Sequence, residues 1–266
     1  MPAGSGGEAR PLAVITWATS GIGAGFARIA AEAGYDLILT GLERAPNSLP
    51  IPRRDQKIAY EAADLACFDD LSRLIGRLDT AAAPAVLVNC AGIGWCGRYD
   101  EQDPAVIERL IALNIAATCH LTRAVLPRML ARGRGGRILN VASISAAQPN
   151  PLMSLYGASK AFVLSFTRAL QAEVRRSGVT VSALCPGPVD TPFIDQAGGR
   201  DTALFGGRVL PLMEADHVAR IGWRGMMDGR EVIVPGLRNQ LVMLARGLLP
   251  VRLRTSAAKR LLRGRG

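Results

Sequence analysis

Leu12-Ala13-Val14-Ile15-Thr16-Trp17-Ala18-Thr19-Ser20-Gly21-Ile22-Gly23 is the stretch that decides the fold. Its first five residues form a continuous apolar, partly β-branched run, the pattern of a strand buried on both faces. A short turn with glycines at 21 and 23 follows and opens a helical pattern. Ile22, Phe26, Ile29, Ala30 and Ala33 share one stripe, and Gly34 stands where that helix should end. Strand, tight turn and helix are the opening unit of an alternating α/β chain. Bare backbone at the helix start lets a pyrophosphate approach free N–H groups and the positive end of the helix dipole. The same turn also serves as a plain strand–helix connection with no ligand.

Outward from this unit the alternation continues. Strands are predicted over 37–40, 57–61, 86–88, 137–141, 179–184 and 231–234. Helices are predicted over 68–78, over 103–129 as one long helix or two, and around Tyr156 to about Arg176. Residues 45–56 hold three prolines and read as loop. Strands separated by helices of this length call for a parallel sheet covered on both faces. Right-handed crossovers make it doubly wound, with ligands beyond the carboxyl ends of the strands. The expectation is an α/β domain over 11–236, with a doubly wound parallel seven-stranded sheet.

At 266 residues the chain suits one large domain. Five cysteines, at 67, 90, 96, 119 and 185, are odd in number and irregular in spacing, which argues against a disulfide framework. With two histidines and no Cys-x-x-Cys, no metal site is expected. A reducing cytoplasm follows. Residues 1–10 read as a disordered tail, and Leu12–Ala18 is too short for a signal-peptide core or a membrane span.

The net charge of +10 is unevenly placed. From Leu237 onward there are eight basic residues, Arg238, Arg246, Arg252, Arg254, Lys259, Arg260, Arg263 and Arg265, and no acid. The remainder is close to neutral, so nucleic-acid binding by the main domain gains little support. Leu237, Leu241, Leu244, Ala245 and Leu248 share one helical stripe, Pro250 breaks it, and Ala257, Ala258, Leu261 and Leu262 form a second. Residues 237–266 are thus expected to be a basic amphipathic helical extension. Peripheral contact with an anionic membrane is one use for it. Packing on the protein's own core or on a subunit interface is the commoner one.

Tyr156-Gly157-Ala158-Ser159-Lys160 opens an apolar-periodic segment, and residues four apart on a helix share a face. A phenol is thereby set beside an ammonium. At roughly 5 Å and an effective dielectric of about 20, that cation favours phenolate by roughly 3 kcal/mol. The shift brings a tyrosine toward the working range of a proton donor or acceptor. Alone, the pair reads equally as a surface ion-and-phenol pair.

Its company decides the matter. Thr16 to Gly23 resembles the Thr-Gly-x-x-x-Gly-x-Gly loop of the short-chain dehydrogenase/reductase family. Asn89-Cys90-Ala91-Gly92 resembles that family's Asn-Asn-Ala-Gly signature. Asn114, Ser143, Tyr156 and Lys160 fall in the order and spacing of its catalytic tetrad. Pro186-Gly187, with Val189 and Thr191 downstream, resembles the segment that closes over the nicotinamide. The likeness runs from about Leu12 to Gly236 and implies a Rossmann fold, an NAD or NADP cofactor and homodimers or homotetramers.

The implied activity is hydride transfer between nicotinamide and a carbonyl or alcohol. Tyr156 would exchange a proton with the substrate oxygen, and Lys160 would lower its pKa and hold the nicotinamide ribose. Ser143 would hold the substrate oxygen, with Ser145 as an alternative, and Asn114 would anchor a proton-relaying water. Cofactor contacts carried over are Thr16, Thr19, Ser20, Gly21, Ile22, Gly23, Asn89, Ala91, Gly92, Tyr156, Lys160, Pro186, Gly187, Val189 and Thr191. Asp64 and Leu65 match the adenine contact, although Asp64 also suits a helix cap. After the second strand, Glu43 would bind a ribose 2′-hydroxyl and Arg44 a 2′-phosphate, so the choice between NAD and NADP stays open. Trp95, Met153, Phe193, Leu204 and Phe205 suggest apolar substrate walls across 94–96, 148–153 and 188–212. One departure stands out: Trp17 replaces the family's first glycine. An indole there would shield the cofactor, shift the loop or block binding, and blocking would leave a nucleotide-sensing or scaffold protein instead of an enzyme. Neither fold nor tetrad chooses the substrate.

Overall fold

The computed structural model describes residues 10–44, 46, 49–206, 211–245 and 250–263. Residues 1–9 of the predicted tail, 207–210 of the predicted substrate wall, and Arg246, Leu248 and Arg265 lie outside the described residues.

The chain runs β1 (Leu12–Ile15), α1 (Gly21–Glu32), β2 (Asp36–Gly41), β3 (Ile58–Ala62), α2 (Phe68–Thr80) and β4 (Val86–Asn89). It continues through α3 (Pro104–Ile111), α4 (Thr118–Arg132), β5 (Gly136–Val141), α5 (Ser154–Val174) and β6 (Val179–Leu184). Then come α6 (Pro192–Gln196), α7 (Ala215–Met227), β7 (Val232–Ile233), α8 (Leu237–Ala245) and α9 (Val251–Leu262). The sheet has seven strands in the order β3-β2-β1-β4-β5-β6-β7. Every pairing is parallel.

Alternation along the central strands builds two apolar layers. Val14, Leu87, Ile138 and Val181 face α2, α4 and α5 through Leu74, Leu121, Val125 and Leu170. Ala13, Ile15, Val88 and Leu139 face the other way, onto Phe26 and Ala30 of α1 and Val218 and Met226 of α7. Each such side chain fully buried contributes about 1.5–3 kcal/mol. Strand order reverses between β1 and β4, so the carboxyl ends of these strands splay apart and leave a crevice.

The predicted segment 103–129 is one helical run with an irregularity in it. Asp103 caps it, accepting the Ala105 N–H at 2.8 Å, with Pro104 in the first turn. Ala112–Ala117 then winds as a π-helical turn before α4. Such turns are frequent at functional sites. Helix α7 is absent from the sequence-based expectation. Glycines on both helices let it approach α1 closely: a Cβ on Gly222 of α7 would lie 2.8 Å from Phe26 Cζ, and one on Gly25 of α1 2.7 Å from the Ala219 Cβ.

The C-terminal helices pack back on the body with one side only. Asn239 of α8 and Ala258 and Leu262 of α9 are buried. Leu262 joins Met153, Tyr156, Ile194 and Phe205 in one cluster.

Candidate active site

The turn after β1 is held from below by Thr16. Its hydroxyl accepts the N–H groups of Cys90 (2.9 Å) and Ala91 (3.0 Å), joining the ends of β1 and β4. Thr16 is 1% exposed and does not line the crevice. Above it the chain turns through two left-handed residues, Trp17 (φ 56) and Gly21 (φ 53). A Cβ on Gly23 would lie 2.0 Å from the Trp17 carbonyl oxygen, so only glycine lets the loop fold onto α1 this tightly. Ser20 at the helix start makes no side-chain cap bond, leaving the first-turn N–H groups of α1 without a side-chain acceptor. These groups border the crevice through Ser20, Gly21, Ile22 and Gly23.

The four tetrad positions gather at the carboxyl end of the sheet. Ser143 follows β5, and its hydroxyl accepts the Ser145 N–H at 3.1 Å. It is also the hydroxyl that pulls the Tyr156 pKa down against burial, a part Ser145 does not take. Lys160 lies one turn further along α5, with Nζ 5.7 Å from the Tyr156 ring centroid. Its ammonium donates to the Val141 carbonyl at 2.9 Å. Asn114 sits in the π turn. Its amide donates to the Ile93 carbonyl (2.9 Å) and Ser159 Oγ (3.0 Å), and its oxygen accepts the Ile93 N–H at 2.9 Å. It therefore ties the loop after β4 to α5, away from the crevice lining. Gly92 lets the two meet: a Cβ there would lie 3.0 Å from Lys160 Nζ and 3.2 Å from Asn114 Oδ1.

Burial governs the electrostatics. It pushes the Tyr156 phenol up to about 12, opposed by the Ser143 hydrogen bond. It pulls the Lys160 ammonium down to about 8. The sequence spacing expects the phenol to be lowered; here desolvation of a side chain 8% exposed dominates. Burial likewise pushes the neighbouring Cys185 thiol up to about 12, so no thiolate pairs with Lys160.

The crevice encloses ≈ 130 Å³ and runs from the glycine loop past Ser143, Tyr156 and Lys160 to an apolar end at Phe193, Leu204 and Phe205. The segment after β6 forms its roof. Thr191 reaches across to Gly21, where a Cβ would lie 2.9 Å from Thr191 Cγ2. Pro186, Gly187 and Val189 line it as well. Trp95 and Met153 do not line it: Trp95 folds back over Gly97, and Met153 is 2% exposed in the core beneath.

Glycine loop, phenol–ammonium pair and roof now stand in one crevice, and residues 11–200 match the profile of the family described as short chain dehydrogenase. The chain belongs to that family. A D-beta-hydroxybutyrate dehydrogenase of Rhizobium meliloti is 31% identical over 191 residues, covering 69% of this chain and 73% of the relative. A short-chain dehydrogenase from Sphingobium yanoikuyae in complex with NADPH superposes with a TM-score of 0.75 at 33% identity, covering 90% of this chain and 94% of that one. The bulky-bulky ketone specific alcohol dehydrogenase from Comamonas testosteroni superposes with a TM-score of 0.72 at 29% identity, covering 90% and 93%.

This short-chain dehydrogenase differs at the other end of its crevice. Trp17 packs against the cluster containing Leu65 and Leu113. With Thr40, Leu42, Asp64, Leu65 and Ala91 it closes a second cavity to ≈ 10 Å³, room for about one water. Asp64, matched to the adenine contact, is held by both Arg109 guanidinium nitrogens at 2.7 and 3.2 Å. Glu43 accepts the Thr19 hydroxyl at 2.6 Å, and its backbone carbonyl accepts the Tyr60 hydroxyl at 2.6 Å. Arg44 is exposed beside it. Asn89 is turned inward, donating to Asn140 Oδ1 (2.8 Å) and Thr122 Oγ1 (3.1 Å). Residues that sequence reasoning did not find are Arg109, the clamp on Asp64, and Asn239. A Cβ on Gly187 would lie 2.4 Å from Asn239 Oδ1, so α8 packs directly under the roof.

Proposed function

We propose that this chain is an NAD(P)-dependent oxidoreductase that interconverts an apolar ketone or aldehyde and its alcohol, with Tyr156 as proton donor and acceptor. The observation that carries the reading is Tyr156 standing with Ser143 and close to Lys160 in the crevice lined by the glycine loop. The residues present fit a nicotinamide dinucleotide between Gly21 and Tyr156, where backbone N–H groups and the positive helix end suit a pyrophosphate. The adenosine half fits only once the Trp17 indole leaves it. When bound, the cofactor supplies the hydride.

The chain's own residues do the rest. The Ser143 hydroxyl orients the substrate oxygen. Tyr156, neutral because of burial, gives its proton to that oxygen during reduction. Lys160, held by the Val141 carbonyl, stabilises the phenolate left behind. Asn114 positions the loop after β4 and, through Ser159, the helix that carries both. Phe193, Leu204 and Phe205 exclude water and favour an apolar substrate, a reading supported by the ketone-specific neighbour.

Tyr156→Phe is the test: turnover of a ketone panel with NADH and NADPH should vanish while dinucleotide binding persists. Retained turnover sinks the assignment. We propose homodimers or homotetramers as well, since Phe162 and Phe166 on α5 stack in parallel at 5.9 Å and Phe162 is exposed. Light scattering on Phe162→Glu checks this.

A further inference from the structure

Helices α8 and α9 present a surface that the rest of the fold leaves uncovered. Leu237, Leu241 and Leu244 follow one stripe of α8 and are 78%, 65% and 68% exposed. On α9, Val251 and Leu253 are 52% and 61% exposed. The same two helices and the residue after α9 carry Arg238, Arg252, Lys259, Arg260 and Arg263, all exposed, and no acid follows Glu231 in the sequence. The two helices adjoin the same short turn, Ile144–Ala147, immediately after Ser143. Helix α8 packs on it, and Arg254 of α9 donates to the Ala147 carbonyl at 3.3 Å. The inner sides are anchored at the crevice: Asn239 sits under Gly187, and the Leu261 carbonyl accepts the Leu204 N–H at 3.0 Å.

We propose that the outer surface of α8 and α9 docks on an anionic lipid bilayer. Exposed leucines and exposed cations, on helices whose sequence holds no acid, match the apolar interface and negative surface potential of such a membrane. A two-fold contact between copies would press one wholly basic face against another. A nucleic acid would satisfy the cations and leave five apolar side chains without use. Since α9 shares a wall with the crevice, docking sets the apolar end of the site beside lipid. That consequence, substrate drawn from the bilayer, rests on the oxidoreductase reading; the docking itself does not.

Sedimentation of the full chain with vesicles tests the proposal. Vesicles of phosphatidylcholine with about 30% phosphatidylserine should pellet the protein, pure phosphatidylcholine should not, and raising salt from about 0.1 M to 1 M should release it. Arg252→Gln with Lys259→Gln should weaken partitioning on the order of 30-fold. Leu241→Gln with Leu244→Gln should weaken it at least about tenfold. All four residues except the two leucines are polar already and all are exposed, so circular dichroism should stay unchanged in both variants. Protein that remains in the supernatant with anionic vesicles overturns the proposal. So does pelleting that the leucine variant leaves intact, which marks nonspecific charge attraction. A wild-type oligomer that the leucine variant dissociates also overturns it, because a second copy then covers the face. Cofactor titration of the same samples is independent, so loss of docking and loss of the oxidoreductase reading are told apart.

Discussion

Trp17→Gly restores the residue the family has at that position, and the structure predicts opposite effects on stability and affinity. A bulky residue at φ 56 carries left-handed strain of about 1–2 kcal/mol. Against this, an indole buries about 150–250 Å² when covered, worth roughly 4–6 kcal/mol at full burial. Trp17 is partly buried, on the Leu65 and Leu113 cluster, so about 3 kcal/mol is the fitting figure. The variant should therefore lose about 1–2 kcal/mol net, a fall of roughly 2–8 °C in Tm for a chain of this size. Dinucleotide binding should strengthen. On the proposed cofactor placement, the adenosine end in the parent chain displaces the indole and forfeits its packing, a cost of up to about 3 kcal/mol that the variant escapes. A gain of about ten- to a hundredfold in Kd follows. Calorimetric titration with NADH and NADPH measures the affinity, and differential scanning calorimetry the stability. Affinity that falls, or does not change, refutes the reasoning, because the indole would then support the adenosine end or stand clear of it.

Other outcomes follow from the same geometry. Asn114→Ala leaves the Ile93 N–H and carbonyl and the Ser159 hydroxyl short of partners, so stability should drop by about 2–4 kcal/mol in urea unfolding. Ketone reduction should be flat below pH 8 and decline above it, because Lys160, lowered to about 8 by burial, loses the cation that stabilises phenolate; Lys160→Arg should move the decline to higher pH in a stopped-flow profile. Gly187→Ala drives a Cβ into Asn239 and should cost about 1–3 kcal/mol, and Asn239→Gly in the same chain should recover most of it in thermal melts. Gly23→Ala meets the Trp17 backbone carbonyl, which cannot swing aside, and soluble folded yield should collapse.

The sheet was legible because its signal is local and repeated. β1, β4, β5 and β6 are almost wholly buried on both faces and mostly apolar, and each begins within two residues of its expected start. Helix α7 escaped notice for a physical reason: Gly222 and Gly225 weaken helical propensity, and their use, close approach to Phe26 and Ile233, is a tertiary fact. The tetrad could be numbered from motif spacing, yet spacing said nothing of how Asn114 spends its amide. The Asp64–Arg109 clamp joins residues 45 apart with no motif between them. The outcome at Trp17 depended on whether a left-handed backbone would tolerate an indole and where it would point. Residues 237–263 show both limits at once. The stripes were readable, but the choice between core and solvent needed Asn239, Ala258 and Leu262 on the inside and Leu237, Leu241 and Leu244 on the outside.

The phenol and the ammonium belong together even though burial moves each away from its charged form. Burial, with the Cys185 thiol adding to it and the Ser143 hydroxyl opposing it, leaves the Tyr156 phenol raised to about 12. Lys160 Nζ lies 5.7 Å from the ring centroid, and a unit cation at about 6 Å and an effective dielectric of about 20 favours phenolate by roughly 3 kcal/mol. In the resting site burial still outweighs the cation, and the phenol stays raised to about 12. An unburied pair would lack the dry surroundings that strengthen its contact with a substrate oxygen, and a buried tyrosine without Lys160 would hold its proton through any accessible pH. In the proposed reaction the combination keeps the proton in place at rest and releases it to a polarised substrate oxygen. The Val141 carbonyl completes this by giving the cation a fixed partner, so that its position does not depend on what else enters the crevice.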